Sequence, residues 1–175
     1  MTKALMEKLA LSVDSPGKTN INCVRYGNVL YTRGSVIPLF VNQILNKQDL
    51  TITEPNMTRF LMKIEESIGL VEKSISLKTG GSILVKKSPA TKTINLAKVL
   101  IKIFQSKSKI KNIGIRPGEK QYETLITREE MTKTKCFPGY YIITNKIINK
   151  NSDKTVTDYH SNNTKQLSDK ELEEL

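Results

Sequence analysis

The stretch Arg25-Tyr-Gly-Asn-Val-Leu-Tyr-Thr-Arg-Gly-Ser-Val-Ile-Pro-Leu-Phe40 constrains the fold more than any other part of this chain. The run Ile21 to Tyr26 reads as a strand, and it ends in Gly27-Asn28. A helix then opens at Gly34-Ser35 and continues to about Leu45. Ser35 stands where an N-cap is expected, and Pro38 falls in the first turn, where a missing N–H costs little. A strand, a polar turn and a helix start bring an amide (Asn28) and a guanidinium (Arg33) beside unpaired backbone N–H groups. That chemistry suits a phosphate or diphosphate, because the helix start is positive and an arginine fork binds two oxygens at once.

The same alternation continues along the chain, and it predicts an α/β architecture. Residues 2–13 form an amphipathic helix through Met6, Leu9, Ala10 and Val13. Leu50 to Thr53 is a short strand, and Leu61, Ile64, Ile68, Val71 and Ile75 step by three and four as a helix does. Gly80-Gly81 ends that helix before the strand Ile83 to Val85. Thr93 caps a helix with the stripe Ala97, Leu100, Ile101 and Phe104. Lys111 to Ile115 reads as a strand, Arg128 to Lys133 as a helical turn, and Tyr140 to Ile143 as a last strand. Asp14 to Lys18 and the polar run Thr144 to Asp158 are expected to be loops. Ser168-x-x-Glu171 has the form of a capping box for a final helix.

Composition narrows the function classes. With 38% hydrophobic and 26% charged residues, a globular domain with its own core is expected. No run approaches the ~20 apolar residues that span a bilayer, so no membrane partner is expected. Cys23 and Cys136 are too few for a disulfide framework and point to a reducing cytoplasm. The net charge of +11 invites nucleic acid as a partner, but the lysines are spread over almost every segment and only 6% of residues are aromatic. Solvated surface explains them better, and no nucleic acid is expected. No metal site is expected either. His160, the sole histidine, lies in a polar tail and reads as a surface residue.

Several blocks together identify a family. Arg25 to Phe40 resembles the RYGNV…SRGSVIPLF signature of CapD-type polysaccharide biosynthesis proteins, which are extended short-chain dehydrogenases/reductases acting on UDP-sugars. Thr51-Ile-Thr-Glu-Pro-Asn-Met-Thr-Arg-Phe60, Lys87-Ser-Pro-Ala90, Arg116-Pro-Gly-Glu-Lys120 and Tyr159-His-Ser-Asn-Asn-Thr-Lys165 are similar to further family blocks, in the same order. Tyr31-Thr32 and Pro117 depart from the family's usual residues without removing a charge. The resemblance implies that Asn28, Arg33, Arg59, Arg116 and Glu119 bind the UDP-sugar. Arg116 would hold the diphosphate and Glu119 the ribose hydroxyls. Met1-Thr-Lys-Ala-Leu-Met-Glu-Lys-Leu9 resembles the helix that carries the family's catalytic lysine, which makes Lys3 the implied catalytic residue.

No Gly-x-x-Gly-x-x-Gly follows a strand, so the turn that lays backbone against a pyrophosphate is missing. The chain therefore resembles the C-terminal half of the family. The implied fold is α/β, the tail of a Rossmann domain plus the smaller substrate-binding lobe. Residues 1–33 would end the NAD-binding domain, 34–143 would be mostly the nucleotide-sugar lobe with one or two strands returning to the main sheet, and 144–175 a polar loop and helix. The implied activity is NAD-dependent oxidation at sugar C4, by a UDP-N-acetylglucosamine 4,6-dehydratase or a UDP-glucose or UDP-N-acetylglucosamine 4-epimerase. NAD(P) belongs to the complete enzyme, a homo-oligomer, and none is expected to bind this chain alone. A non-catalytic protein is the other reading: a UDP-sugar binder, the partner of a separately encoded N-terminal half, or a degenerate remnant.

Overall fold

The computed structural model describes residues 2–14, 18–144 and 156–175. In chain order the elements are α1 (Thr2–Ser12), β1 (Asn22–Arg25), β2 (Asn28–Val29), α2 (Val36–Leu45), β3 (Leu50–Ile52), β4 (Thr58–Met62), α3 (Ile64–Ile75), β5 (Ser82–Lys86), β6 (Ala90–Lys92) and α4 (Thr93–Ile103). There follow β7 (Ile110–Asn112), β8 (Thr124–Ile126), α5 (Arg128–Met131), β9 (Thr134–Phe137), β10 (Tyr140–Ile143), β11 (Tyr159–His160) and α6 (Asp169–Glu174). Most of the loops expected at Asp14 to Lys18 and Thr144 to Asp158 lie outside the described residues. The chain divides into two units that interleave in sequence.

The first unit comprises residues 1–26, 64–87 and 124–159. Its sheet runs β1-β5-β10-β9, with β1 parallel to β5 and the other pairs antiparallel. Val85 and Leu84 are fully buried, and Leu84 packs with Leu70 and Ile142. The guanidinium of Arg25 is gripped from two sides, by the Glu7 carboxylate at 2.6 Å and the Glu130 carboxylate at 2.7 Å. Helix α3 buries Ser67, Leu70 and Ser74, not the apolar stripe that its spacing suggests. Ile64, Ile68, Val71 and Ile75 face outward, and α1 likewise exposes Leu5, Met6 and Leu9. Hydrophobic periodicity marks a face that seeks cover, but the neighbouring strands decide which face is covered.

The second unit comprises residues 27–63, 88–123 and 160–175. Two small sheets, β2-β4-β6 and β3-β7, carry it, and α2 packs against α4. Phe40, Leu50 and Ala97 are fully buried in that core. Leu61 corrects the sequence reading, since it belongs to β4, where it pairs with Asn28 of β2. Thr93 is the first residue of α4 and not its cap; its hydroxyl donates to the Met57 carbonyl at 3.0 Å. The strand expected at Lys111 to Ile115 occupies Ile110–Asn112, where it pairs in register with Leu50–Ile52. The capping box at Ser168 and Glu171 is formed as its spacing implies. Gly27 is required by packing, because a Cβ there would lie 2.2 Å from Cβ of the fully buried Phe60.

Candidate functional site

A cavity of about 360 Å³ opens in the second unit, lined from four stretches of the chain, of which β6 and the start of α4 give Thr91, Thr93 and Leu96 and the other three carry the sequence-derived site residues. The first stretch supplies Asn28 from β2 and the start of α2. Gly34 takes a positive φ of 76°, which glycine adopts without strain, and Ser35 follows at the N-cap in extended conformation. Ser35 makes no side-chain cap bond, contrary to the usual role of serine here. Among the described residues its buried Oγ has no hydrogen-bond partner, and it lines the cavity together with Val36 and Ile37, whose N–H groups begin the helix.

The second stretch is β3 to β4, which contributes Thr53, Met57 and Arg59. The Arg59 guanidinium is largely consumed by the protein. It donates to the carbonyls of Thr58 at 2.8 Å and Lys120 at 2.9 Å, and it lies 3.7 Å from the Glu123 carboxylate. Arg59 therefore gives the cavity wall positive charge more than a free fork.

The third stretch is the turn Arg116-Pro117-Gly118-Glu119. Proline at the second position, a positive φ of 80° at Gly118, and a bond from Glu119 N–H to Arg116 O at 3.0 Å make a tight turn. Arg116 and Glu119, at its two ends, both line the cavity. Glu119 Oε1 accepts from the Thr53 hydroxyl at 3.1 Å, and Oε2 accepts from Arg116 N–H at 3.2 Å. Each oxygen keeps a lone pair for a ligand hydroxyl. The Arg116 guanidinium makes no hydrogen bond or ion pair among the described residues, so this planar donor is free at the cavity wall.

Below the wall lies a polar cluster. With its amide nitrogen facing inward, Asn28 donates to Glu123 Oε2 at 2.7 Å and to the Phe60 carbonyl at 3.0 Å. Burial pushes the Glu123 carboxyl above the usual range, and this outweighs the downward pull of Arg59, Asn28, the Phe60 N–H and Lys120. Ser161 braces Glu123: its Oγ accepts from Glu123 N–H at 3.0 Å and its own N–H donates to Glu123 O at 2.9 Å. Ser161 is fully buried and also bonds Thr58 across 103 residues of sequence.

Four of the sequence-derived residues, Asn28, Arg59, Arg116 and Glu119, thus line one cavity. Arg33 is exposed and not among the lining residues. Lys3 lies on the exposed side of α1 in the first unit. Glu123 and Ser161 were passed over in the sequence. The one signal for Glu123 was a second carboxylate shortly after Arg116-Pro-Gly-Glu119, and Ser161 lay inside a family-like block whose role the sequence left open. Among the described residues no group of three or more His, Cys, Asp or Glu side chains is arranged to hold a metal.

The profile of the family described as polysaccharide biosynthesis protein matches residues 1–145. The chain belongs to this family. A family relative from Rickettsia felis, named UDP-glucose 4-epimerase, is 46% identical over 188 aligned residues; these cover 100% of this chain and 55% of the relative. The chain thus spans about half the length of the curated relatives it matches. The crystal structure of Pen from Bacillus thuringiensis superposes with a TM-score of 0.87 at 34% identity, covering 99% of this chain and 55% of that one. A UDP-N-acetylglucosamine 4-epimerase from Methanobrevibacter ruminantium, solved with UDP-N-acetylmuramic acid, gives a TM-score of 0.58 at 20% identity, over 68% of this chain and 41% of that one. The latter likeness shows fold alone. The fold is α/β, that of part of an extended short-chain dehydrogenase/reductase.

Proposed function

We propose that this chain is the nucleotide-sugar-binding, C-terminal half of an enzyme that epimerises or dehydrates a UDP-sugar for polysaccharide biosynthesis. One observation carries the reading: an unpartnered arginine, a ribose-competent carboxylate and an uncapped helix start line the same cavity. The diphosphate lies against Arg116 and the start of α2, where positive potential and free N–H groups coincide. Arg116 supplies two parallel donors, and Glu119 accepts from the ribose hydroxyls. Arg59 adds charge to the wall. Arg33 and Lys3 are assigned by resemblance to the family and not by this cavity. The cytoplasm, where UDP-sugars are made, is the proposed location.

No Gly-x-x-Gly-x-x-Gly turn for a dinucleotide follows a strand among the described residues. The sole glycine pair precedes β5, and a Cβ at Gly80 would fall 1.9 Å from Asp14 Oδ1. This glycine is there for close packing, not for a pyrophosphate. Lys3 is therefore assigned no step, and hydride chemistry at the sugar belongs to a complete enzyme that binds NAD(P). The residues that choose between 4-epimerase and 4,6-dehydratase belong mostly to the other half of the proposed enzyme. The same mismatch favours a second reading, in which the chain binds UDP-sugar without turning it over.

Calorimetry with UDP tests the site. The wild-type chain binds UDP, and Arg116→Ala weakens the affinity about tenfold or more. Absence of UDP binding by the folded wild type refutes the assignment. The chain alone is also expected to leave UDP-glucose and UDP-N-acetylglucosamine unchanged, and measurable turnover would contradict the half-enzyme reading.

A further inference from the structure

The Asn28 amide has its own geometry, and its consequence differs from the phosphate role that the sequence suggests. A primary amide has two N–H donors and one acceptor oxygen. Both donors are used inside the protein, one by Glu123 Oε2 at 2.7 Å and one by the Phe60 carbonyl at 3.0 Å. The Phe60 carbonyl accepts and never donates, so it faces the amide nitrogen whether or not Glu123 carries a proton. Turning the amide over would set two oxygens against each other. The amide oxygen then points away from Glu123 and Phe60, and Asn28 is an exposed residue of the cavity wall.

We infer that Glu123 is a positioning residue that locks Asn28 with its carbonyl oxygen toward the cavity, so that Asn28 reads a hydroxyl of the nucleotide-sugar and not a phosphate oxygen. This rests on the UDP-sugar reading above. The brace is deep: Ser161 holds Glu123 at both its N–H and its carbonyl, and Phe60 is fully buried on β4, beside β2. An amide held at two points loses little rotamer freedom when a ligand arrives, so its contact is prepaid. A carbonyl oxygen repels phosphate, which makes the contact selective for the donor-bearing parts of the ligand.

The test combines side-chain amide NMR of the full chain with calorimetry, using inorganic diphosphate and UDP-glucose as probes. In the free chain both Asn28 amide protons exchange slowly, and saturating diphosphate leaves their signals in place. Asn28→Ala weakens UDP-glucose binding about five- to tenfold and leaves diphosphate binding unchanged. Glu123→Gln keeps an acceptor and retains slow exchange and affinity. Glu123→Ala loses both, and adding it to Asn28→Ala brings no further loss, a non-additivity that a purely structural role would not produce. The proposal is overturned if diphosphate moves the Asn28 amide signals, or if Asn28→Ala weakens diphosphate as much as UDP-glucose. Fast exchange in the free chain overturns the role of Glu123 by itself. A wild type that binds neither probe removes the UDP-sugar reading and the recognition claim with it, while the exchange rate still decides whether Glu123 holds the amide.

Discussion

Glu123 and Glu130 are close in sequence and titrate in opposite directions. Burial raises Glu123 in spite of Arg59 and Asn28. Glu130 is also penalised by burial, but two bonds from Arg25, the Thr127 N–H and the Arg25 charge prevail and hold it below the usual range. The linkage signs follow. A raised folded pKa means that the stability Glu123 contributes is complete below the unfolded value of about 4.3 and is lost as pH rises through the folded value. A depressed folded pKa means that Glu130 contributes stability above about 4.3, lost as pH falls through its folded value. Denaturant melts should therefore show Glu123→Gln gaining on the wild type from acid to neutral pH. Glu130→Gln should cost about 1.5–3 kcal/mol near neutrality and less in acid. Parallel pH profiles for the two variants would contradict both assignments.

At the level of elements, three helix starts make a controlled comparison. Thr127 and Ser168 form complete capping boxes, each accepting from the backbone N–H three residues on. Ser35 holds the same position before α2 and makes no such bond. Replacing Thr127 or Ser168 by alanine is expected to cost about 1 kcal/mol each, whereas Ser35→Ala should fall within about 0.5 kcal/mol of wild type. Thermal melts distinguish these, and a full capping penalty at Ser35 would show that its hydroxyl is engaged. The capping box at Ser168 was legible because its spacing is local. The strands β2, β4 and β6 were not, since they are two to five residues long and are defined by partners distant in sequence. The α3 stripe illustrates the same limit: its period located the helix, yet Ser67 and Ser74 took the buried side. For the cavity, residue types in family-like order pointed to Arg116 and Glu119, while Glu123 needed coordinates because its meaning lies in contacts with Asn28 and Ser161.

For the whole molecule, the apolar surface of the first unit matters most. Leu9 is 66% exposed on α1 and Ile75 is 76% exposed on α3. Among the described residues β1 ends its sheet beside a single parallel partner, although parallel sheets are usually covered on both faces. Unpartnered apolar helix faces of this kind drive association. Sedimentation velocity of the pure chain should reveal self-association at micromolar concentration, relieved by combining Leu9→Lys with Ile75→Lys without loss of thermal stability. A compact wild-type monomer would count against this. Among the described residues no helix is long and apolar enough to cross a membrane.

The buttress that Ser161 provides makes the tail of the chain answerable for a pocket it never lines. A stop codon before residue 160 would spare every wall residue and still let Glu123 drift, so a shortened product could keep its outline and lose its grip. Inherited damage to ligand handling need not be sought only around the hole itself.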